Sequence, residues 1–299
     1  MDFNKVCIFG DSFTWGEGLE LYINDTKWIN QRNKKSEWHD LRPLMDDESI
    51  RFRESNRYPN LVANHFNKEL ITDPNNGGSI QSLFRNLYYL INNNVSNSII
   101  ILQFSAFSRN LIHSHQVFDE NLDCPCEFCM SEGAYKSAMN FHDVFTLLEH
   151  GLDGSKKYEL LKKYLEDEHD IDFNNRFVAL NKLRKLENEY YLLHLNALHE
   201  NFCKPLEKLN NKFYFIDTWE QFTSEIIFKN QYIVDRLIPL IGPNDKYYLK
   251  YYEWQDTFEH TSIEHEFIGS LNHHPTLLQH QYLAKSVINH IENINKIII

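Results

Sequence analysis

The sequence is poor in glycine and proline, with 10 and 8 among 299 residues, so long flexible linkers are not expected. It has no apolar run approaching the roughly 18 residues of a membrane-spanning helix. Residues 1–10 lack the basic region and long apolar stretch of a signal peptide. Cysteine is scarce and odd in number, five in all, which suits a reducing compartment better than a disulfide framework. We therefore expect a soluble, cytoplasmic protein.

Positive charge is in short supply. Lys and Arg number 30 against 42 Asp and Glu, which gives a formal net charge of -12. Such a charge repels phosphate backbones and anionic membrane surfaces, so neither nucleic acid nor a membrane is an expected partner. Aromatic residues, by contrast, make up 14% of the chain, enough to fill a core and to line a cleft.

Short apolar segments alternate with segments of helical spacing. Apolar residues on both faces predict buried strands of a parallel sheet, and the alternation predicts right-handed crossovers with helices on both faces. In such sheets the active site lies beyond the carboxyl ends of the strands. The predicted strands are 5–9, 69–72, 98–104 and 213–216. The predicted helices include 58–66 and a last helix opened by Pro275, with core positions Leu278, Ala284, Val287, Ile288 and Ile291.

Three segments fall outside this framework, namely 17–55, 105–210 and 218–270. The middle segment contains two stretches of helical spacing, 155–169 and 173–202, which are rich in Leu, Tyr and charge. We interpret it as a helical insertion that packs on the sheet or forms a cap, within a single domain that spans the whole chain. A small second domain is the alternative.

Residues 9–16 read Phe-Gly-Asp-Ser-Phe-Thr-Trp-Gly and directly follow the first predicted strand. A serine there lies on a tight turn at the carboxyl edge of the sheet, where the free N–H groups of a beginning helix can stabilise an oxyanion. Ser12 is therefore a candidate nucleophile, and Asp11 is a candidate substrate-binding residue. The alternative is an ordinary helix cap, because Asp and Ser are common N-cap residues.

A histidine pair, His273 and His274, immediately precedes Pro275. Because proline fixes the start of the last helix, it also fixes the imidazole just before it. Held there, His274 can face the same edge of the sheet as Ser12 and act as its base. A surface pair among the 15 histidines of the chain is the alternative interpretation.

Taken together, Gly10-Asp11-Ser12 after the first strand and His274-Pro275 before the last helix resemble the first and last sequence blocks of the SGNH/GDSL hydrolases, in a divergent phage-like or bacterial branch. The resemblance implies a three-layer α/β/α fold with a doubly wound, parallel, five-stranded sheet of the flavodoxin-like SGNH type. It also implies a serine esterase that acts on small acyl esters, such as O-acetylated sugars, and needs no cofactor for catalysis.

The same resemblance assigns further residues to the site. It implies an oxyanion hole built from the N–H groups of Ser12 and Gly77, because Gly77 stands after the second strand where the family has a glycine. The third block departs from the family, since no Asn follows the third strand. Ser105 is expected to donate in its place, and Arg109 to bind a polar or anionic part of the substrate. A salt-bridged surface residue is the alternative for Arg109.

The acid of the expected triad is the second departure. The family places Asp two or three residues before the histidine, where this chain has Asn272 and Leu271. Asn272 can hold the imidazole tautomer but cannot stabilise the imidazolium by charge, and that loss can cost orders of magnitude in rate. The alternatives are a distant acid, Asp256 or Glu264, or a protein that has lost catalysis.

Three cysteines lie close together at C-x-C-x2-C spacing and suit a structural Zn²⁺. Reduced surface thiols are the alternative. The predicted ligands are Cys124, Cys126 and Cys129, with a fourth from His113, His115 or His142.

The leading expectation is thus a Ser-His esterase with a small-molecule ester or acylated carbohydrate as its partner. An O-acyltransferase is a close variant. The missing Asn and Asp also leave open a non-catalytic SGNH-fold binding or assembly module. A Rossmann-type nucleotide binder is disfavoured because the first strand is not followed by a G-x-G-x-x-G sequence.

Overall fold

The computed structural model describes residues 2–23, 46–73, 80–105, 111–112, 139–140, 163, 166–167, 169–219, 230–261 and 274–297. The strands are β1 (Lys5–Phe9), β2 (Glu69–Thr72), β3 (Ile99–Phe104), β4 (Leu111–Ile112), β5 (Met139–Asn140), β6 (Lys212–Asp217), β7 (Leu240–Ile241) and β8 (Tyr247–Tyr248). The helices are α1 (Ser12–Trp15), α2 (Asp47–Asn56), α3 (Tyr58–Phe66), α4 (Ile80–Asn92), α5 (Arg176–Leu198), α6 (Lys204–Glu207), α7 (Gln231–Val234), α8 (Tyr251–Gln255) and α9 (Leu277–Ile297). A 3-10 turn covers Leu19–Tyr22, and a π-helical turn, His199–Cys203, joins α5 to α6.

The chain is an α/β protein with a parallel sheet of four strands, in the order β2-β1-β3-β6, flanked by helices. The strand β1 pairs with β2 and β3, and β3 pairs along its whole length with β6. Because all four strands run the same way, the residues that follow β1, β3 and β6 meet at one edge of the sheet. The chain segments after Phe9, Phe104 and Asp217 therefore share that edge.

Alternate strand residues enter two separate cores, one on each face of the sheet. On one face, Val6 and Ile8 of β1 pack in a cluster with α3, α8 and α9. On the other, Cys7 and Phe9 pack in a cluster with α4 and α5. The sheet strands are thus apolar on both faces, as the short apolar runs predict.

The predicted strands 5–9 and 69–72 and the predicted helix 58–66 are confirmed with those bounds, and other predicted elements are present with shifted bounds. The predicted strand 98–104 is Ile99–Phe104, and the predicted helix 173–202 is Arg176–Leu198 followed by the π-helical turn. That helix, α5, buries Tyr191 and Leu195 in one of the two cores, so this part of the middle insertion packs on the sheet. One core prediction is wrong: Leu278 is 43% exposed, because it lies in the first turn of α9, at the edge where the strands end.

Within the described residues the edge of the sheet beyond β6 carries a single parallel bridge in place of a further strand. Phe215 pairs there with Leu237. The Phe215 N–H donates to the Arg236 carbonyl at 3.0 Å, and the Ile238 N–H donates to the Phe215 carbonyl at 2.8 Å. None of the helices among the described residues is long and apolar enough to cross a membrane.

Candidate active site

Ser12 is the first residue of α1, directly beyond the carboxyl end of β1. Asp11 caps this helix, because one carboxylate oxygen accepts the Phe13 N–H at 3.0 Å. The helix is a single turn and ends at Gly16, whose φ of 85° is a left-handed conformation that glycine adopts without strain. Ser12 therefore sits on a short, closed turn, and its side chain is buried.

His274 reaches Ser12 from the other end of the chain. Its Nε2 lies 2.6 Å from the Ser12 Oγ, although the two residues are 262 positions apart in sequence. Both side chains are buried. The two atoms are within hydrogen-bond distance, as a serine nucleophile and its general base are.

A capping box fixes the helix that follows His274. The Thr276 N–H donates to the Gln279 side chain at 2.8 Å, and the Gln279 N–H donates to the Thr276 hydroxyl at 3.2 Å. The Leu277 N–H donates to the Tyr22 hydroxyl at 3.0 Å. The first turn of α9 is thereby tied both to itself and to the 3-10 turn beyond α1, which sets the position of the imidazole relative to Ser12.

Aromatic rings form one wall of the site. The Phe13 ring meets the His274 ring edge to face, with centroids 5.0 Å apart. Phe13 also stacks on Trp219, which follows β6, and contacts Tyr251 of α8. The Trp219 indole N–H donates to the second carboxylate oxygen of Asp11 at 3.0 Å. Both oxygens of Asp11 therefore accept hydrogen bonds from the protein itself, one from α1 and one from the segment after β6.

A buried polar network lies beneath α1. The side-chain oxygen of Gln103, on β3, accepts the Thr14 hydroxyl at 2.7 Å and the Asp11 N–H at 3.3 Å. Its amide nitrogen donates to the Thr218 hydroxyl at 2.7 Å. The Tyr58 hydroxyl joins the same network through Thr14 at 2.9 Å. No sequence motif marked Gln103, but a polar residue within an otherwise apolar strand is a signal that could have found it.

One carboxylate close to His274 was not predicted. The Glu17 Oε2 lies 3.5 Å from the His274 Nε2, the same ring nitrogen that contacts Ser12. The Glu17 N–H also donates to the Ser12 carbonyl oxygen at 3.1 Å. A single glutamate after a glycine carries no motif, so only the folded structure reveals this neighbour.

Comparisons with protein-family models, with curated proteins and with solved structures found no match to this chain. The chemistry of the site is therefore inferred from its own geometry.

The remaining predicted site residues divide into two groups. Ser105 is buried at the end of β3, on the edge of the sheet that carries Ser12, and Asp256 is exposed at the end of α8. The others lie outside the described residues: Gly77, Arg109, Asn272, Glu264, the cysteines Cys124, Cys126 and Cys129, and the histidines His113, His115 and His142. Among the residues that are described, no group of three or more His, Cys, Asp or Glu side chains is placed to hold a metal ion.

A second histidine behind the site is held neutral. The His280 Nδ1 accepts the Tyr58 N–H at 3.3 Å, and burial lowers the pKa of His280 from 6.5 to about 3, with the neighbouring charges of His274 and Arg57 acting in the same direction. Burial also raises the pKa of Tyr58 well above its ordinary value of 10.0. Neither group changes charge near neutral pH, so both serve as fixed dipoles behind the Ser12–His274 pair.

Proposed function

We propose that this protein is a serine hydrolase that cleaves small acyl esters, with Ser12 as nucleophile and His274 as general base. The observation that supports it most strongly is the 2.6 Å contact between the Ser12 Oγ and the His274 Nε2. A buried serine on a tight turn beyond a parallel strand, facing a histidine fixed by its own helix start, is an arrangement suited to acyl transfer.

The reaction proceeds in two halves. The Ser12 hydroxyl adds to the ester carbonyl carbon while its proton passes to the His274 Nε2, and the imidazolium then protonates the departing alcohol to leave an acyl-enzyme. Water attacks the acyl group in the second half, with His274 again taking and returning the proton. The Ser12 N–H has no intrahelical acceptor at the first position of α1, so it is available to the tetrahedral oxyanion. Gly77 and Ser105 are the proposed further donors.

We interpret the parallel sheet and its Ser-His edge as a divergent SGNH/GDSL-type domain, in which Asp11 and Arg109 would contact the substrate. Small esters such as O-acetyl groups on sugars are the proposed substrates. Transfer of the acyl group to another alcohol instead of water would follow the same steps.

Labelling with a fluorophosphonate tests this function, because the probe reacts with serines activated by a base. We expect one label on the intact protein at Ser12 and none on Ser12→Ala, while the exposed Ser55→Ala variant labels normally. Circular dichroism of Ser12→Ala should match the wild type. Absence of labelling together with absence of turnover across an ester panel would contradict the hydrolase and favour a binding or assembly module.

A further inference from the structure

Glu17 and Ser12 both lie close to the same ring nitrogen of His274, the proposed base. The Ser12 Oγ lies 2.6 Å from the His274 Nε2, and the Glu17 Oε2 lies 3.5 Å from the same atom. The His274 and Glu17 side chains are only 9% and 16% exposed, so solvent screens their interaction weakly. A carboxylate that orients a catalytic imidazole would ordinarily contact the other ring nitrogen, Nδ1. Glu17 instead stands on the side where the proton is exchanged.

A buried cation, Arg53, interacts electrostatically with the same carboxylate. The Arg53 guanidinium lies over the Trp15 ring at 3.6 Å, beneath α1, and 3.6 Å from Glu20. Burial lowers the pKa of Arg53, and the negative charges of Glu20, Glu54 and Glu17 oppose that effect. Glu17 therefore interacts electrostatically with a buried guanidinium as well as with an imidazole that becomes cationic during catalysis.

The other ionisable groups around His274 come from each neighbouring element. His280 of α9 stays neutral because burial holds its pKa at about 3. Burial raises the pKa of Tyr58 and of Tyr251, whose ring contacts Phe13. Asp11 is engaged by Phe13 and Trp219, and Arg57 lies beside Asn60 and the Trp15 carbonyl. Of the carboxylates in this set, Glu17 is the one in ion-pair contact with the imidazole.

We propose that Glu17 supplies the negative charge that stabilises protonated His274 during acyl transfer, acting from the Nε2 side. This inference rests on the proposed hydrolase function. When the Ser12 proton moves to Nε2, the imidazolium forms 3.5 Å from the carboxylate and is stabilised by it. The proton then passes to the leaving alkoxide, and Glu17 is never protonated. Glu17 is therefore a positioning residue that acts through His274.

At low pH the negative charge of Glu17 lowers the fraction of His274 that can act as a base. It favours the protonated resting form of His274, which cannot act as a base. Glu17 is therefore expected to raise the rate at high pH and to move the acidic limb of the pH–rate profile upward. A purely structural role for Glu17 would not move that limb, so the profile separates the two roles.

The test compares Glu17→Gln with the wild type in two measurements. The ring resonances of His274, assigned by their loss in His274→Asn, report protonation without any turnover. The pH at which the ring protonates should fall by about one unit or more in Glu17→Gln, since an opposite charge within about 4–6 Å has effects of this size. With p-nitrophenyl acetate as the probe ester, the maximal kcat should fall by roughly tenfold or more, as one unit of such stabilisation corresponds to that factor.

Two variants complete the experiment. Glu17→Asp keeps the charge and should restore part of both effects, whereas the exposed Glu253→Gln should leave both unchanged. An unaltered His274 titration in Glu17→Gln overturns the role of Glu17 even if the wild type hydrolyses the ester. A shifted titration in a protein without turnover or labelling keeps the charge coupling and rejects the hydrolase instead.

Discussion

The side chain of Gln103, on β3, accepts a hydrogen bond of 2.7 Å from the Thr14 hydroxyl on α1. Its amide nitrogen donates to the Thr218 hydroxyl at 2.7 Å and to the Phe104 carbonyl at 3.0 Å. One fully buried side chain therefore connects the end of β3 with the helix that carries Ser12 and with the segment after β6. Because each of these segments forms part of the site, we infer that Gln103 sets the position of Ser12.

Replacing Gln103 by Leu should damage both stability and reactivity. The buried Thr14 and Thr218 hydroxyls and the Asp11 N–H would each lose a hydrogen bond to this side chain, so the free energy of unfolding should fall by about 1–3 kcal/mol. The rate of fluorophosphonate labelling at Ser12 should fall by about 10- to 100-fold, because small displacements of reacting groups have effects of that size. Urea unfolding and labelling kinetics measure the two quantities. Gln231→Leu, at an exposed position on α7, is the control, and normal labelling of Gln103→Leu would contradict the inference.

Gly10 marks the closest approach between the turn before α1 and this network. A Cβ at position 10 would clash with the Thr14 Oγ1 and would lie 2.5 Å from the Gln103 Oε1. The Thr14 hydroxyl donates a hydrogen bond to the Gln103 oxygen, so neither side chain can move aside without breaking it. Gly10→Ala should therefore lower the free energy of unfolding by about 1–3 kcal/mol or more, as overpacking does.

The double variant Gly10→Ala/Thr14→Ala tests the steric explanation. Removing the Thr14 hydroxyl eliminates the closest contact but leaves the Gln103 contact at 2.5 Å. The double variant should consequently lose less stability, relative to Thr14→Ala, than Gly10→Ala loses relative to the wild type. Equal losses in the two backgrounds, measured by urea unfolding, would place the effect of Gly10 elsewhere.

The parts of the fold that sequence could predict are those with a local signature. The strand Lys5–Phe9 is short and apolar on both faces, so its burial follows from its composition. Pro275 predicts where α9 starts. Active sites of parallel sheets lie at the carboxyl edge, so a serine after β1 and a histidine before the last helix were both expected at that edge. That geometric rule is why a serine and a histidine 262 positions apart were expected to be neighbours.

The remainder of the site depends on contacts that no local pattern encodes. Glu17 approaches His274 because Gly16 ends α1 after one turn and turns the chain back towards the imidazole. Trp219 reaches Asp11 across the sheet edge from a strand that is distant in sequence. Among the described residues the edge beyond β6 has the bridge at Phe215 in place of a strand, whereas the family resemblance implied a five-stranded sheet. Register at an edge is set by tertiary contacts, which short apolar runs do not report.

Asp11 and Trp219 form a pair whose coupling can be measured. One carboxylate oxygen of Asp11 accepts the Phe13 N–H and the other accepts the Trp219 indole N–H, both at 3.0 Å. An asparagine has one acceptor and one donor group, so Asp11→Asn must turn its NH₂ towards one of these N–H groups in either orientation. The free energy of unfolding should fall by about 1–3 kcal/mol, the cost of an unsatisfied buried donor.

Trp219→Phe removes the indole donor but keeps a ring that can stack on Phe13. In that background Asp11→Asn can direct its oxygen to the Phe13 N–H without conflict, so it should cost clearly less than in the wild type. A double-mutant cycle by urea unfolding should give a coupling of about 0.5–3 kcal/mol. Additive effects would show that the hydrogen bond between Trp219 and Asp11 does not contribute.

The buried His280 is expected to make the free energy of unfolding depend on pH. Burial lowers the pKa of this imidazole to about 3 in the folded protein, against 6.5 for an unperturbed histidine. Below pH 6.5 the unfolded chain therefore binds a proton that the native state excludes, and the free energy of unfolding falls as the pH decreases towards about 3. The stability that neutral His280 provides is fully present above pH 6.5 and is lost through that window.

His280→Asn isolates this contribution, because it offers an acceptor near the position of Nδ1 for the Tyr58 N–H but cannot take up a proton. Between pH 7.5 and pH 5, the stability of the wild type relative to His280→Asn should decline by about 2 kcal/mol, which follows from the two pKa values by proton linkage. His280→Phe lacks the acceptor, so it should be less stable than His280→Asn at every pH while following the same pH trend. Urea unfolding at a series of pH values measures all three proteins. A constant difference between the wild type and His280→Asn over this range would mean that His280 titrates alike in the folded and unfolded states, and the account of a neutral histidine behind the Ser12–His274 pair would then fail.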